Sequence, residues 1–125
     1  METTNKPDCI FCKIVNGEIP SHKVYEDKNF IAFLDIHPQS TGHCQVIPRQ
    51  HCQWVWDVTN LAEYIEVARK VANAQRKAFG TEMIVSHIIG DEVPHAHIWL
   101  VPKKHSQNGK VSLEEAKDLI LRALR

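Results

Sequence analysis

Residues 93–102 have the sequence VPHAHIWLVP, in which two histidines alternate with small and apolar side chains. Because successive side chains of a β-strand point to opposite faces, this alternation predicts a strand from His95 to Val101. One face of the strand would carry His95, His97, Trp99 and Val101. The other face would contribute Ala96, Ile98 and Leu100 to a core. Imidazole acts as nucleophile, proton carrier or metal ligand near neutral pH, so we expect the two histidines to be exposed and chemically active.

Short apolar runs bounded by turn residues predict four more strands. These strands are Lys23–Glu26, Phe30–Asp35, His43–Ile47 and Met83–Ile89. A long helix is predicted from Leu61 to Phe79, because apolar residues recur there at helical spacing and Gly80 suits the C′ position. Possible N-caps for this helix precede it at residues 57–60.

Two shorter helices complete the predicted set of elements. Residues 10–16 form a helical turn that Gly17 ends, and Ser112 with Glu115 has the spacing of a capping box at the start of a terminal helix. The order of strands, long helix, strands and helix is typical of an α+β fold with a mainly antiparallel sheet.

The composition predicts one small domain with no transmembrane helix and no strong nucleic-acid binding. A chain of 125 residues fits a single domain, which we place at residues 9–125 after a flexible lead-in at residues 1–8. Lys plus Arg and Asp plus Glu are equal at 15 each, which argues against strong nucleic-acid binding through phosphates. Lys103, Lys104, His105 and Lys110 form a small basic cluster, interpreted as a solvated loop. The sequence contains neither an apolar run long enough to span a membrane nor the apolar segment of a signal peptide, so we expect a cytoplasmic protein.

Four cysteines occur at positions 9, 12, 44 and 52. Cytoplasmic thiols stay reduced, so metal binding or plain burial remains for each of them. Cys9 and Cys12 form a C-x-x-C pair, which either binds one metal ion or places two small apolar side chains in a core. Cys44 alternates with the apolar face of its predicted strand and is interpreted as a core residue.

The run from His95 to Val101 resembles the signature of the histidine triad (HIT) family, HφHφHφφ with φ apolar. It departs from that pattern at Trp99, where most of the family has a third histidine. Residues 9–14, 33–39 and 42–51 also resemble family segments, in the expected order, so that the resemblance covers roughly residues 9–102. It implies a five-stranded, mainly antiparallel sheet with the long helix packed on it, and a homodimer formed through that helix and the sheet.

The resemblance also implies a structural zinc site. Family members that carry the C-x-x-C pair add two histidines, which correspond here to His51 and His95. With Cys9 and Cys12 this makes a Cys2His2 set, which suits tetrahedral zinc with no open position. Cys52 follows His51 directly and is the alternative ligand in its place.

HIT enzymes cleave a bond to the α-phosphorus of a nucleotide through a covalent nucleotidyl-histidine. His97 matches the attacking histidine, and His43 matches one near the phosphate that would orient or protonate the substrate. Trp99 could donate a hydrogen bond to a phosphate but could not shuttle a proton near pH 7. The loop before His95 is short, and Asp91 and Glu92 would repel a phosphate if they pointed at it.

The residues implied to bind the nucleotide lie in three parts of the chain. Asp35 matches the acid that binds the ribose hydroxyls. The base would lie among Phe11, Ile14, Phe33 and Ile36. His87 or Ser86 would stand in for an asparagine of the family's loop.

Two functions of different class follow from these residues. The first is a hydrolase or nucleotidyl transferase that acts through His97 on purine nucleoside phosphoramidates or dinucleoside polyphosphates. The alternative is a module that binds a nucleotide or a protein partner and turns over slowly or not at all.

Overall fold

The computed structural model describes residues 6–103 and 111–125. Most of the predicted lead-in, and Lys104, His105 and Lys110 of the basic cluster, lie outside these residues. In the described residues the order of elements is helix, three strands, helix, two strands and helix. The elements are α1 (Ile10–Val15), β1 (Lys23–Glu26), β2 (Phe30–Leu34), β3 (Cys44–Pro48), α2 (Leu61–Phe79), β4 (Ile84–Ile88), β5 (Ile98–Pro102) and α3 (Leu113–Leu124). A short 3-10 helix, Val55–Asp57, lies before α2 and was not predicted.

The strands form one five-stranded sheet in the order β1-β2-β3-β5-β4, and every pair is antiparallel. This confirms the predicted fold class. The interior position of β5 matters for the site, because this strand, which follows the two histidines, lies between β3 and β4. Side chains from three different segments therefore meet on one face of the sheet.

The two faces of the sheet carry different apolar clusters. Phe30, Ala32 and Leu34 of β2 pack in the larger cluster, together with buried residues of α2 and α3. Ile31 and Phe33 of the same strand pack in a smaller cluster with residues of α1. Because β2 is buried on both sides, its sequence is a continuous apolar run and not an alternating one.

Helix ends follow the predicted caps. Gly80 ends α2 with φ at 63°, a left-handed conformation that costs glycine little, and its N–H donates to the carbonyl of Arg76. Ser112 and Glu115 form the reciprocal capping box at the start of α3.

The predicted strand at His95–Val101 begins three residues later than expected, at Ile98. The backbone N–H of His95 donates to the carbonyl of Val93 at 2.7 Å, and that of Ala96 donates to the carbonyl of Cys52 at 2.6 Å. These amides bond outside the sheet, which is why the ladder starts after them. The predicted alternation nevertheless holds, since Ala96, Ile98 and Leu100 all lie in the core shared with the helices.

Within residues 6–103 and 111–125, no helix is both long enough and apolar enough to cross a membrane.

Candidate functional site

Four side chains with metal-binding atoms converge beside α1. The ligand atoms of Cys9, Cys12, His51 and His95 all lie within 4.8 Å of one another. The Sγ of Cys9 lies 3.3 Å from Nδ1 of His95, and the Sγ of Cys12 lies 3.2 Å from Nδ1 of His51. Zinc bonds of about 2.0–2.3 Å in a tetrahedron give ligand–ligand distances of about 3.3–3.8 Å. The set and its spacing therefore fit tetrahedral zinc.

Helix α1 and the strand β3 orient these ligands. Cys9 is the N-cap of α1, and its sulfur accepts a hydrogen bond from the backbone N–H of Cys12. The Nε2–H of His95 donates to the carbonyl of Pro48 at 2.8 Å, which turns Nδ1 toward the two sulfurs. The orientation needed for ligation is thus fixed by hydrogen bonds of the protein itself.

Burial also changes the pKa values of two of these ligands. Burial raises the pKa of the Cys12 thiol to about 11 and lowers the pKa of His95 to about 4. Burial therefore disfavours the charged form of each group when no cation is nearby. A divalent metal would supply the positive charge that stabilises thiolates.

The other two cysteines lie apart from this cluster. Cys44 is fully buried in the core shared with α2, as predicted. Cys52 is only partly buried, and its thiol donates to the carbonyl of Trp54 at 3.4 Å. His51, and not Cys52, therefore completes the four-ligand cluster.

His97 is held with one ring nitrogen engaged. Its Nδ1–H donates to the carbonyl of His95 at 2.7 Å, so in the neutral ring the lone pair lies on Nε2. The ring of Phe11 packs edge-on against it, with centroids 5.3 Å apart. His97 is only 8% exposed and His95 is fully buried, so the expectation that both would be exposed was wrong. Hydrogen bonds to backbone carbonyls offset the cost of burying these rings.

A row of side chains crosses four strands on the same face of the sheet. Phe33 of β2 is directly opposite Gln45 of β3, Gln45 is opposite Trp99 of β5, and Trp99 is opposite His87 of β4. The Trp99 ring lies between two imidazoles, with centroids 4.8 Å from His43 and 5.7 Å from His87. Sequence analysis predicted the members of this row except Gln45. A single amide within the buried strand Cys44–Pro48 was the signal that could have revealed it.

Gln45, Asp35 and His43 form a polar group beside Trp99. The carboxylate of Asp35 accepts from Nε2 of Gln45 at 2.8 Å and from the backbone N–H of His37 at 2.8 Å. Nδ1 of His43 accepts from the backbone N–H of Gln39 at 3.1 Å, which places the proton of the neutral ring on Nε2. That Nε2 is buried and lies 3.7 Å from the Asp35 carboxylate. Burial lowers the pKa of His43, so the ring is neutral at pH 7.

A cleft of about 200 Å³ opens beside His97. It is lined by His87, Ile89, Asp91, Glu92, His97 and Trp99. Asp91 and Glu92 of the short loop thus line the same cleft as His97. The loop rests on Trp54, since the carbonyl of Gly90 accepts from Gln53 and Gly90 lies against the Trp54 ring.

The residues predicted to hold a base are brought together only in part. Phe11, Ile14 and Phe33 are buried in the smaller cluster, and the rings of Phe11 and Phe33 meet edge to face at 5.7 Å. Ile36, by contrast, is 64% exposed. The nucleotide-binding role of all four residues stays a prediction.

The chain matches the HIT domain family model over residues 16–106. An uncharacterised HIT-like protein of Methanocaldococcus jannaschii is 36% identical over 119 residues, covering 90% of this chain and 92% of that protein. The adenosine 5′-monophosphoramidase of Saccharomyces cerevisiae is 36% identical over 106 residues, covering 82% and 67% respectively. A zinc-bound histidine triad protein from Mycobacterium smegmatis superimposes with a TM-score of 0.83 at 32% identity, covering 94% of this chain and 93% of that one.

The matched residues 16–106 include the sheet, the long helix and the paired histidines. The chain therefore belongs to the HIT domain family.

Proposed function

We propose that this protein is a nucleotide hydrolase or nucleotidyl transferase that works through a covalent nucleotidyl intermediate on His97. The observation that carries the proposal is the hydrogen bond from Nδ1–H of His97 to the carbonyl of His95. It leaves the lone pair on Nε2, and His97 lines the cleft. A neutral imidazole held in this way can attack phosphorus without a separate base. The name of the yeast relative, an adenosine 5′-monophosphoramidase, supports chemistry at an α-phosphorus.

The same hydrogen bond stabilises the intermediate. When Nε2 bonds to phosphorus the ring becomes a cation, and its Nδ1–H is already held by a carbonyl oxygen 2.7 Å away. The carbonyl dipole already faces the positive charge that develops on the buried ring, so it lowers the barrier to attack without any reorganisation of the protein. Water then takes the nucleotidyl group in a hydrolase, whereas a second substrate takes it in a transferase.

The proposed substrates are purine nucleoside phosphoramidates or dinucleoside polyphosphates. Each carboxylate oxygen of Asp35 accepts from the protein and has further acceptor capacity, so the group can also accept from ribose hydroxyls. The proposed base site is formed by Phe11, Ile14, Phe33 and Ile36.

The proposed zinc is structural. Cys9, Cys12, His51 and His95 would fill all four tetrahedral positions and leave none for water. When bound, the ion would contribute cross-linking and not Lewis acidity. The fixed ring of His95 in turn positions the backbone carbonyl that holds His97.

A second candidate, a nucleotide-binding module with little turnover, is favoured by two features of the cleft. Asp91 and Glu92 line it and would repel a phosphate. Trp99 lacks the titratable proton of a third histidine.

AMP release from adenosine 5′-phosphoramidate distinguishes the two candidates. We expect release by the protein and its loss in His97→Ala, with His22→Ala as a control on the opposite part of the fold. Equal release by His97→Ala would contradict the covalent mechanism. Binding of AMP by folded protein without release would establish the binding module instead.

A further inference from the structure

The proposed reaction needs a proton donor that Trp99 does not provide. When phosphorus leaves an amine or an alcohol, the departing atom takes the bond's electron pair and needs a proton. Indole has a single N–H that does not titrate near neutral pH. An ionisable group elsewhere on the cleft must therefore meet this need.

His87 has the position that such a donor requires. It lies directly opposite Trp99 in the register of β4 and β5, and the two rings are in edge contact with centroids 5.7 Å apart. It also lines the same cleft as His97, whose neutral ring carries its lone pair on Nε2. His87 is exposed, so a proton it gives up can be replaced from solvent.

We propose that His87 is the general acid of the nucleotidyl-transfer step, so that the histidine missing at position 99 is replaced by one on the neighbouring strand. This inference rests on the proposed function. Residues directly opposite in an antiparallel pair have Cβ atoms about 4.5–5.5 Å apart, so the ring of His87 can reach the space beside position 99. Trp99 then serves as the packing surface that orients the ring of His87.

The other polar groups near His97 fit this task less well. His43 is fully buried, its Nε2 faces Asp35 at 3.7 Å, and it is absent from the residues that line the cleft. Burial also lowers its pKa, which keeps the ring neutral. Asp91 and Glu92 line the cleft, but an ionised carboxylate only accepts hydrogen bonds and would repel the phosphate of the substrate.

The lone pair on Nε2 of His97 forms a bond to the α-phosphorus, and the bond from phosphorus to the leaving nitrogen or oxygen breaks with its electron pair. The leaving atom takes a proton from the His87 imidazolium, which becomes neutral. In hydrolysis, water attacks phosphorus and gives a proton to His87, while the bond to His97 breaks and restores its lone pair. The net change is addition of one water across the cleaved bond.

The test compares two leaving groups in a single turnover, with protein in excess over substrate. An amine must be protonated to leave, whereas 4-nitrophenolate is a stable anion and leaves without a proton. We expect His87→Gln to slow consumption of adenosine 5′-phosphoramidate by about 10²–10⁴-fold. Consumption of the 4-nitrophenyl ester of AMP should stay close to that of the unmodified protein. His22→Gln is the matched control and should leave both rates unchanged.

Three outcomes would overturn the proposal. An unchanged rate with the phosphoramidate means that His87 donates no proton. An equal loss with both substrates means that His87 acts on the fold, on substrate binding or on the attack by His97, and not on protonation of the leaving group. If the unmodified protein consumes neither substrate, the proposed function itself fails, and the role of His87 fails with it.

Discussion

His97 and His43 are both buried imidazoles, yet their partners give them opposite tautomers. His97 faces a backbone carbonyl, which requires a proton on Nδ1. Nδ1 of His43 faces the backbone N–H of Gln39, which requires a lone pair there and a proton on Nε2. The lone pair of one ring is therefore on Nε2, as the proposed attack on phosphorus requires, while the other ring points an N–H toward Asp35. Residue type alone does not distinguish these roles, since each is set by a single backbone group.

We expect His43→Gln to flatten the dependence of stability on pH. Burial lowers the pKa of His43 below its ordinary value of 6.5, so the unfolded chain binds a proton at a higher pH than the folded protein does. The stabilisation is complete above the unfolded pKa and is lost as pH falls from there toward the folded pKa. Urea unfolding of both proteins at about pH 7.5 and about pH 5.5 measures this. Both proteins should lose some stability on acidification, because ligands of the metal cluster titrate in both. An equal loss in the two proteins would show that His43 adds nothing to it and would contradict the prediction.

At the scale of elements, the ends of strands and helices decide where the site forms. The amides of His95 and Ala96 bond outside the sheet, so His95 and His97 lie on an irregular segment that meets α1 at one side and the cleft at the other. At the opposite end of the sheet, Gln75 of α2 donates to the carbonyls of Gly42 and Leu100. That pair of bonds fixes the helix to β5 and to the turn before β3.

The contact between α2 and this turn predicts a large effect for Gly42→Ala. Gly42 has φ at 87°, and a Cβ there would collide with the ring of Phe79 at the end of α2. Gly17→Ala is the matched control, because Gly17 has φ at 80° with open space around it. We expect Gly17→Ala to cost about 1–2 kcal/mol from backbone strain alone. Gly42→Ala should cost about 1–3 kcal/mol more, since packed rings resist displacement.

Urea unfolding of the two glycine variants checks this difference. Equal losses in both would mean that Phe79 moves aside freely, and that α2 does not hold the turn before His43.

At the scale of the whole molecule, the two faces of the sheet differ, because one packs against helices to form the larger core and the other carries the candidate site. One face is covered by α2 and α3 and holds the larger core. The other face has α1, the row from Phe33 to His87, and the metal cluster. Cys9 and His95 are 86 positions apart in the chain, so a metal ion held there would join the first helix to the segment before β5. The homodimer that the family resemblance implies stays a prediction.

We expect the purified protein to contain about one zinc ion per chain, because four ligands converge at one place. Removal by a chelator should lower Tm by about 5 °C or more, since such an ion contributes to folding free energy. Cys12→Ala should abolish binding, whereas Cys52→Ser, a partly buried thiol outside the cluster, should retain it. Metal analysis and thermal unfolding measure both effects. Protein that is folded, reduced and free of zinc at neutral pH would contradict the site.

Most of the fold could be predicted because its signals are local. The periodicity of α2, the left-handed Gly80, the capping box at Ser112 and the apolar run of β2 each depend on residues within one element. The strand boundary that was predicted wrongly depends on hydrogen bonds to residues far away in the chain. The start of β5 moved to Ile98 because the amide of Ala96 bonds to the carbonyl of Cys52, which no local pattern reveals.

The sequence by itself determined which reactive side chains are available to this protein, namely a C-x-x-C pair that can bind a metal and two histidines at alternate positions of a strand, and the family resemblance implied the metal ligands and the phosphorus chemistry. It could do so because side-chain chemistry and spacing along a strand or turn are properties of the chain. Only the tertiary structure decided which groups meet. It buried His95 and His97, chose His51 over Cys52, added Gln45 to the site and set His87 opposite Trp99. Those outcomes depend on strand register and on backbone partners far apart in the chain, which are fixed only when the sheet assembles.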